Sequence, residues 1–255
     1  MLFRRIVFYA LLVGVLSGLL LTVVQFWQVI PIIQSAERIE GELPVSAPAV
    51  VNGHSGHEHS GHEHSADAWA PADGMERTGF TLLSNVLSAI GLALVVLVAI
   101  VTSLKSNSRI RLDWRQGVLW GAAGYAVFYL APSLGVPPEI PGAIAAPLED
   151  RQFWWLLAVL CTATGLAGLA FAKSPWRWAA LGLLVVPYLF GPPHPPTVMF
   201  VDQSPAAAAE FARLARQFIG ATAITNAALW LALGLTSVWA ARRIVSPLNK
   251  SIFHS

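Results

Sequence analysis

Long apolar runs alternate with short polar segments along almost the whole chain. A helix needs about 20 apolar residues to cross a hydrocarbon core of about 30 Å. Six runs meet or approach that length: residues 6–30, 81–104, 116–134, 153–172, 176–190 and 218–240. The pattern predicts an all-α fold, a polytopic membrane helix bundle. It has six transmembrane helices, or five if the short run 176–190 does not cross.

The first apolar run begins directly after Arg4 and Arg5, as the core of a secretory signal peptide also does. Its 25 residues exceed the roughly 7–15 of a signal core. No small-x-small cleavage site follows it. We therefore interpret residues 1–30 as an uncleaved first transmembrane helix.

The composition supports a membrane protein and excludes several other classes. Charged residues make up 12% of the 255, against about 25% in soluble domains. The net charge of +2 gives no reason to expect a nucleic acid partner. None of the three lysines follows the glycine that a nucleotide-binding Walker A loop requires. A nucleophile–base pair and a His-Glu-x-x-His motif are also missing, so we expect no nucleotide and no enzymatic activity.

The distribution of charge favours six spans over five. With both termini on one side, 11 of the 16 basic residues and one of the 14 acids lie on that side. Cytoplasmic loops are enriched in Lys and Arg, so that side is predicted to be the cytoplasm. This divides the chain into a first helix (1–30), an extracytoplasmic loop (31–80), a helix bundle (81–245) and a cytoplasmic tail (246–255).

Two segments outside the spans are predicted to be helical, but the sequence does not decide whether they belong to the neighbouring spans. The start of the long loop, residues 31–40, is able to continue the first helix by two turns. Residues 205–217 carry apolar side chains at three- and four-residue steps, which predicts either an amphipathic helix at the outer surface or an extension of the last span.

Five of the seven histidines lie within residues 54–64, which we call the histidine tract. Neutral imidazole is a common ligand of divalent first-row metals, and carboxylates can complete their coordination. The predicted ligands are His54, His57, Glu58, His59, His62, Glu63 and His64. Glycines in the tract disfavour a stable helix, so we expect modest affinity, suited to capture and hand-over. A spacer without a specific task and a pH-sensing segment are the alternatives.

Polar residues elsewhere extend the metal hypothesis. Amide side chains within the spans predict a permeation path through Gln25, Gln28, Asn85 and Asn226, although such groups more often join helices by hydrogen bonds. His194 and Glu139 lie in stiff proline-rich turns on the predicted outer side, where a fixed backbone preorganises a ligand. Capping turns at the membrane interface explain these two motifs equally well.

The order of these features resembles one known family. An arginine-started first span, the histidine tract, the stretch Leu130-Ala-Pro-Ser-Leu-Gly-Val-Pro-Pro-Glu-Ile-Pro-Gly142 and the Pro-Pro-His-Pro-Pro run are similar to the CbtA-type cobalt transporter subunits of bacteria. The resemblance implies five spans, a location in the bacterial inner membrane, and a small single-span, histidine-containing partner, CbtB. It also implies Co²⁺ as the transported ion, whereas the residues alone leave Ni²⁺, Cu²⁺ and Zn²⁺ open.

The sequence therefore predicts a membrane subunit that takes up a divalent transition metal and holds no permanently bound cofactor. The tract captures the ion and the helix bundle passes it inward. The alternative is a metal sensor or chaperone subunit that does not transport and that docks on a separate permease.

Overall fold

The computed structural model describes residues 2–42, 71–72, 74–106, 112–172, 176–195 and 205–252. Every regular element within these ranges is helical. Five continuous helical stretches of the described chain are long and apolar enough to cross a membrane: Leu2–Gln28, Met75–Leu104, Trp114–Gly135, Leu148–Phe171 and Ala208–Ser246. The prediction of an all-α polytopic helix bundle is confirmed.

Eight α-helices and one π-helical segment follow each other along the described chain. They are α1 (Leu2–Gln28), α2 (Ile30–Glu42), α3 (Met75–Ser106), α4 (Trp114–Tyr125), the π-helical segment (Ala126–Leu130), α5 (Ala131–Gly135), α6 (Leu148–Phe171), α7 (Trp176–Phe190) and α8 (Pro205–Ile252). Residues 205–217 are the first turns of α8, so the interpretation as an extension of the last span is the correct one. Residues 31–40 belong to α2, which a single turn residue, Val29, separates from α1.

The short run 176–190 forms α7, which packs antiparallel to α6. Its 15 residues measure about 22 Å, less than a hydrocarbon core of about 30 Å. Near its end, the Tyr188 hydroxyl donates to the Ala131 carbonyl (2.8 Å), and the ring lies edge-on to Trp154 (5.7 Å between centroids). The chain therefore returns, along α7, to the end of the bundle where α5 lies and α6 begins.

Helix α8 is the central helix and contacts α1, α3 and α4. Glycines allow the closest approaches. A Cβ on Gly121 would lie 2.6 Å from the Trp230 carbonyl oxygen of α8, and one on Gly18 would lie 2.6 Å from the Val86 Cα of α3. Small residues at such crossings are typical of membrane helix packing. Many large apolar side chains on α1, α3 and α6 are exposed, as expected of surfaces that face lipid.

The two ends of the bundle differ. Tyr9 near the start of α1 packs edge-on against Trp239 in the second half of α8 (5.9 Å), so both described chain ends lie at one end of the bundle, which we call the terminal end. At the opposite end, the loop end, an apolar cluster joins α2, the turn around Ile140 and the first half of α8. Its buried members are Val29, Ala36, Ile140, Phe211, Leu214, Phe218 and Ala221.

Candidate functional site

The predicted ligands of the histidine tract lie between residues 43 and 70, outside the described residues. This applies to His54, His57, Glu58, His59, His62, Glu63 and His64. The described chain stops at the end of α2 and resumes at Pro71, just before α3. The segment that carries the tract is therefore joined at both ends to the loop end of the bundle.

An open cleft of about 1150 Å³ lies at the loop end, between α1, α2 and the first turns of α3. We call it the α1–α3 cleft; its described lining comes from residues 25–38 and 71–85. The second attachment point, at Pro71, therefore lines this cleft, and the first lies at the end of α2, which forms one of its walls.

Two of the four predicted path residues meet in this cleft. The Asn85 Nδ2 group donates to the Gln25 Oε1 atom (2.6 Å) and to the Thr22 Oγ1 atom (3.0 Å). Asn85 lies ten residues beyond Met75, or about 15 Å along α3. The amide groups of Gln25 and Asn85 therefore lie deep in the cleft, away from the start of α3.

An ion pair links the two walls of the cleft. Glu37 of α2 accepts from Arg77 of α3, with Nη2 to Oε1 at 2.5 Å and Nη1 to Oε2 at 3.2 Å. The two side chains are 36% and 42% exposed, so solvent screens the pair. Arg77 offsets the charge of Glu37, and Arg38 adds a positive charge to the described lining.

The other two predicted path residues have different surroundings. The Asn226 Nδ2 group donates to the Thr222 carbonyl of its own helix (2.9 Å). The Gln28 Oε1 atom is buried and has no hydrogen-bond partner among the described residues. No hydrogen bond in the described structure joins either residue to Gln25 or Asn85.

Glu139 lines a second depression at the loop end, with a volume of about 700 Å³. We call it the α6 pocket; its described lining comes mainly from residues 132–143 and the first turns of α6. The Glu139 Oε2 atom accepts from the Arg151 Nη1 group (3.0 Å). The guanidinium offsets the charge of the carboxylate and so weakens its attraction for a cation.

His194 is exposed, four residues beyond the end of α7. The preceding Gly191 has a φ of 80°, which turns the chain at the helix end. The imidazole makes no hydrogen bond or ion pair within the described structure, so it is open to an external ligand. Within the described ranges, no three His, Cys, Asp or Glu side chains come together in a group that could hold a metal ion.

Comparison with protein families decides what this bundle is. The family model described as "Probable cobalt transporter subunit (CbtA)" matches residues 3–242 of the 255. The chain belongs to the CbtA family. No curated protein and no solved structure matches it.

The match makes the CbtA chain a membrane subunit of a cobalt transport family, and it covers both the α1–α3 cleft and the α6 pocket. Sequence reasoning missed three residues that shape these sites: Thr22, Arg77 and Arg151. Their partners are 63, 40 and 12 positions away in sequence. Only the packing of the helices reveals these pairs.

Proposed function

We propose that this CbtA chain takes up a divalent transition metal, with Co²⁺ as its cargo, across the bacterial inner membrane. The observation that carries the proposal is the family match over almost the whole chain, on a bundle with five apolar helices of spanning length. The cargo follows from the family description. The direction, the capture step and the path are argued below.

The direction follows from charge. The terminal end of the bundle carries Arg4, Arg5, Arg115, Arg177, Arg242 and Arg243. Cytoplasmic segments of membrane proteins are enriched in Lys and Arg. The terminal end and both termini are therefore cytoplasmic in this proposal, and the loop end, with the histidine tract, is extracytoplasmic.

The histidine tract is the proposed collector. Its imidazole and carboxylate groups suit Co²⁺, and also Ni²⁺, Cu²⁺ and Zn²⁺. Among the described lining residues of the α1–α3 cleft, the one carboxylate, Glu37, is paired with Arg77 and therefore attracts cations only weakly. In this proposal the tract concentrates cations there, because the segment that carries it joins α2 to Pro71, and α2 and Pro71 both contribute to the cleft.

The proposed path starts at Gln25 and Asn85 and continues past Gln28 and Asn226. The buried, unpartnered Gln28 oxygen supports its place on the path, since such atoms are costly to retain without a task. His194 is a second external ligand, exposed and open to one. Glu139 takes a lesser part because Arg151 already occupies its carboxylate.

The membrane potential supplies the driving force. One elementary charge gains about 2.3 kcal/mol per 100 mV, so a divalent cation entering a negative interior gains about 4.6 kcal/mol. A small single-span, histidine-containing subunit of the CbtB type is the proposed partner.

The test is metal accumulation by lipid vesicles that contain only the purified chain, with an inside-negative potential. We expect the vesicles to accumulate ⁵⁷Co²⁺. Inhibition of this uptake by Ni²⁺, Cu²⁺ or Zn²⁺ ranks the ions by their affinity for the transporter. Empty vesicles and vesicles without a potential are the controls. Loading that appears only after the partner is added would show that the chain does not transport alone. Metal binding without loading under either condition would favour the sensor or chaperone role.

A further inference from the structure

The hydrogen bonds at the floor of the α1–α3 cleft have a defined direction. The Thr22 hydroxyl donates its single proton to the Gly18 carbonyl of its own helix (2.9 Å). The Thr22 oxygen must therefore accept the contact from Asn85, and the atom of Asn85 that faces it must be the amide nitrogen. This assigns the orientation of an amide whose oxygen and nitrogen are otherwise hard to tell apart.

The same bonds leave one atom of Asn85 uncommitted. The Nδ2 group donates one hydrogen to Thr22 and the other to Gln25. Both amide hydrogens are then used, and the Oδ1 atom accepts no hydrogen bond in the described structure. Asn85 is half-buried and lines the cleft, so this oxygen is available to a ligand there.

Resting on the function proposed above, we propose that the Asn85 Oδ1 atom is the first bundle acceptor of the cargo ion. It accepts a hydrogen bond from a water molecule carried by the hydrated divalent cation. Thr22 and Gln25 are positioning residues, because they hold the amide with its oxygen towards the cleft.

The chemistry of this acceptor suits a transport step. A permeation site must bind an ion strongly enough to admit it and weakly enough to release it. A neutral amide oxygen that contacts the ion through water holds it less tightly than an imidazole or a carboxylate would. The one carboxylate among the described lining residues, Glu37, lies on α2 and is paired with Arg77, so it competes little for the ion.

A purely structural role makes a different prediction. Amide and hydroxyl groups often join membrane helices, and Asn85 with Thr22 joins α3 to α1. In that case Co²⁺ would have no effect on the Asn85 amide itself. A readout at that amide therefore separates the two roles.

The experiment is nuclear magnetic resonance of the purified full chain with ¹⁵N-labelled Asn and Gln side chains, titrated with paramagnetic Co²⁺. Asn85→Leu identifies the Asn85 signal by its loss. We expect that signal to broaden as Co²⁺ is added, while the Gln116 signal, from the first turn of α4 at the terminal end, stays sharp. The measurement needs no transport, so its result is independent of the vesicle assay.

Variants of Thr22 test the positioning role. Thr22→Val keeps the shape and removes the hydroxyl, which should lose the broadening and raise the half-maximal Co²⁺ concentration for uptake about three- to tenfold. Thr22→Ser restores the hydroxyl and should restore both. Thr102→Val is the matched control, because the Thr102 hydroxyl bonds only within its own helix and lies outside the cleft.

An Asn85 signal that stays sharp when the tract is saturated with Co²⁺ would overturn this inference, even in a chain that transports cobalt. The positioning role of Thr22 would be overturned if the Asn85 signal of Thr22→Val broadened as much as that of the unmodified chain. A chain that loads no cobalt in vesicles but shows the broadening would contradict the transport proposal and leave the site standing.

Discussion

The two depressions at the loop end of the bundle each contain residues predicted to contact the metal, but the surroundings of these residues are very different. In the α1–α3 cleft, Gln25 and Thr22 accept from the Asn85 amide nitrogen, and no described residue donates to the Asn85 oxygen. In the α6 pocket, the lining is mostly apolar and the carboxylate of Glu139 is held by Arg151. The comparison teaches that hydrogen-bond partners, which the sequence does not show, decide which polar group stays available: the acidic side chain in the stiff turn is paired, whereas the neutral amide keeps an oxygen that no described residue contacts.

The largest expected effect comes from forcing α1 and α3 apart at the cleft floor. A Cβ on Gly18 would lie 2.6 Å from the Val86 Cα, so Gly18→Ala must shift the two helices. Overpacking of this kind costs about 1–3 kcal/mol. We expect a lower melting temperature and, per folded molecule, at least a tenfold lower uptake, since Thr22 and Asn85 move apart.

Gly168→Ala is the comparison on the other side of the bundle. Its Cβ would lie 2.7 Å from the Ala180 Cβ at the α6–α7 contact, so the melting temperature should fall similarly while uptake per folded molecule falls less. Gly182→Ala, with no described atom within 4 Å of the new Cβ, should change neither quantity. Equal losses of uptake in Gly18→Ala and Gly168→Ala would remove the special role of the cleft.

Deletion of residues 54–64 should give the second largest effect. We expect uptake at scarce Co²⁺ to fall about tenfold and uptake at abundant Co²⁺ to survive, because the tract raises the local metal concentration beside the cleft. Initial rates across a range of Co²⁺ concentrations measure this. Unchanged uptake at scarce metal would contradict the capture role.

The same deletion should also change the pH dependence. Metal binding requires neutral imidazole, whose unperturbed pKa is about 6.5, so capture by the intact chain weakens below about pH 6. The deleted chain should lack this fall.

Substitution of His194 should have a smaller effect. His194→Ala removes one exposed ligand, so the half-maximal Co²⁺ concentration should rise about two- to threefold without a change in melting temperature. His194→Gln is the control for loss of bulk and polarity. A maximal rate that falls instead would place His194 on the path rather than at its mouth.

The smallest effect is expected at the α6 pocket. Glu139→Gln breaks a partly exposed ion pair, which contributes about 1 kcal/mol or less, and should change uptake by less than about twofold. Arg151→Gln breaks the same pair from the other side. If Glu139 binds metal, Arg151→Gln should strengthen Co²⁺ binding and Glu139→Gln should weaken it. Similar small effects from both variants would show that the Glu139–Arg151 pair has a structural role and does not bind metal.

The fold was predictable from the sequence because each membrane helix is recognisable from the length and hydropathy of its own segment. Length and hydropathy identified each apolar run, and α3 extends beyond the predicted 81–104 mainly because its first turns lie outside the apolar core. The break at Val29 and the π-helical segment at Ala126–Leu130 were not predicted, although each ends shortly before a proline, Pro31 or Pro132. Proline lacks the backbone N–H and clashes with the preceding helical turn, so this was a local signal that the hydropathy pattern does not register.

The site was predictable only in part. Periodicity placed Gln25 and Asn85 on spans but gave no information on which helices meet, so Thr22 and Arg77 were missed. Asn226 donates to the backbone carbonyl four residues earlier in its own helix, a local bond that any Asn within a helix can form and that its sequence position does not reveal. A single sequence does not show which helices pack against each other, and that packing determines these contacts.

The central claim is that this chain carries a divalent cation inward along the membrane potential. Its most direct test is the equilibrium accumulation of ⁵⁷Co²⁺ in vesicles whose potential is set in steps. Since a divalent cation gains about 4.6 kcal/mol per 100 mV, the inside-to-outside ratio should rise about tenfold for every 30 mV. A ratio that stays constant across the steps, with or without the partner subunit, would contradict the account.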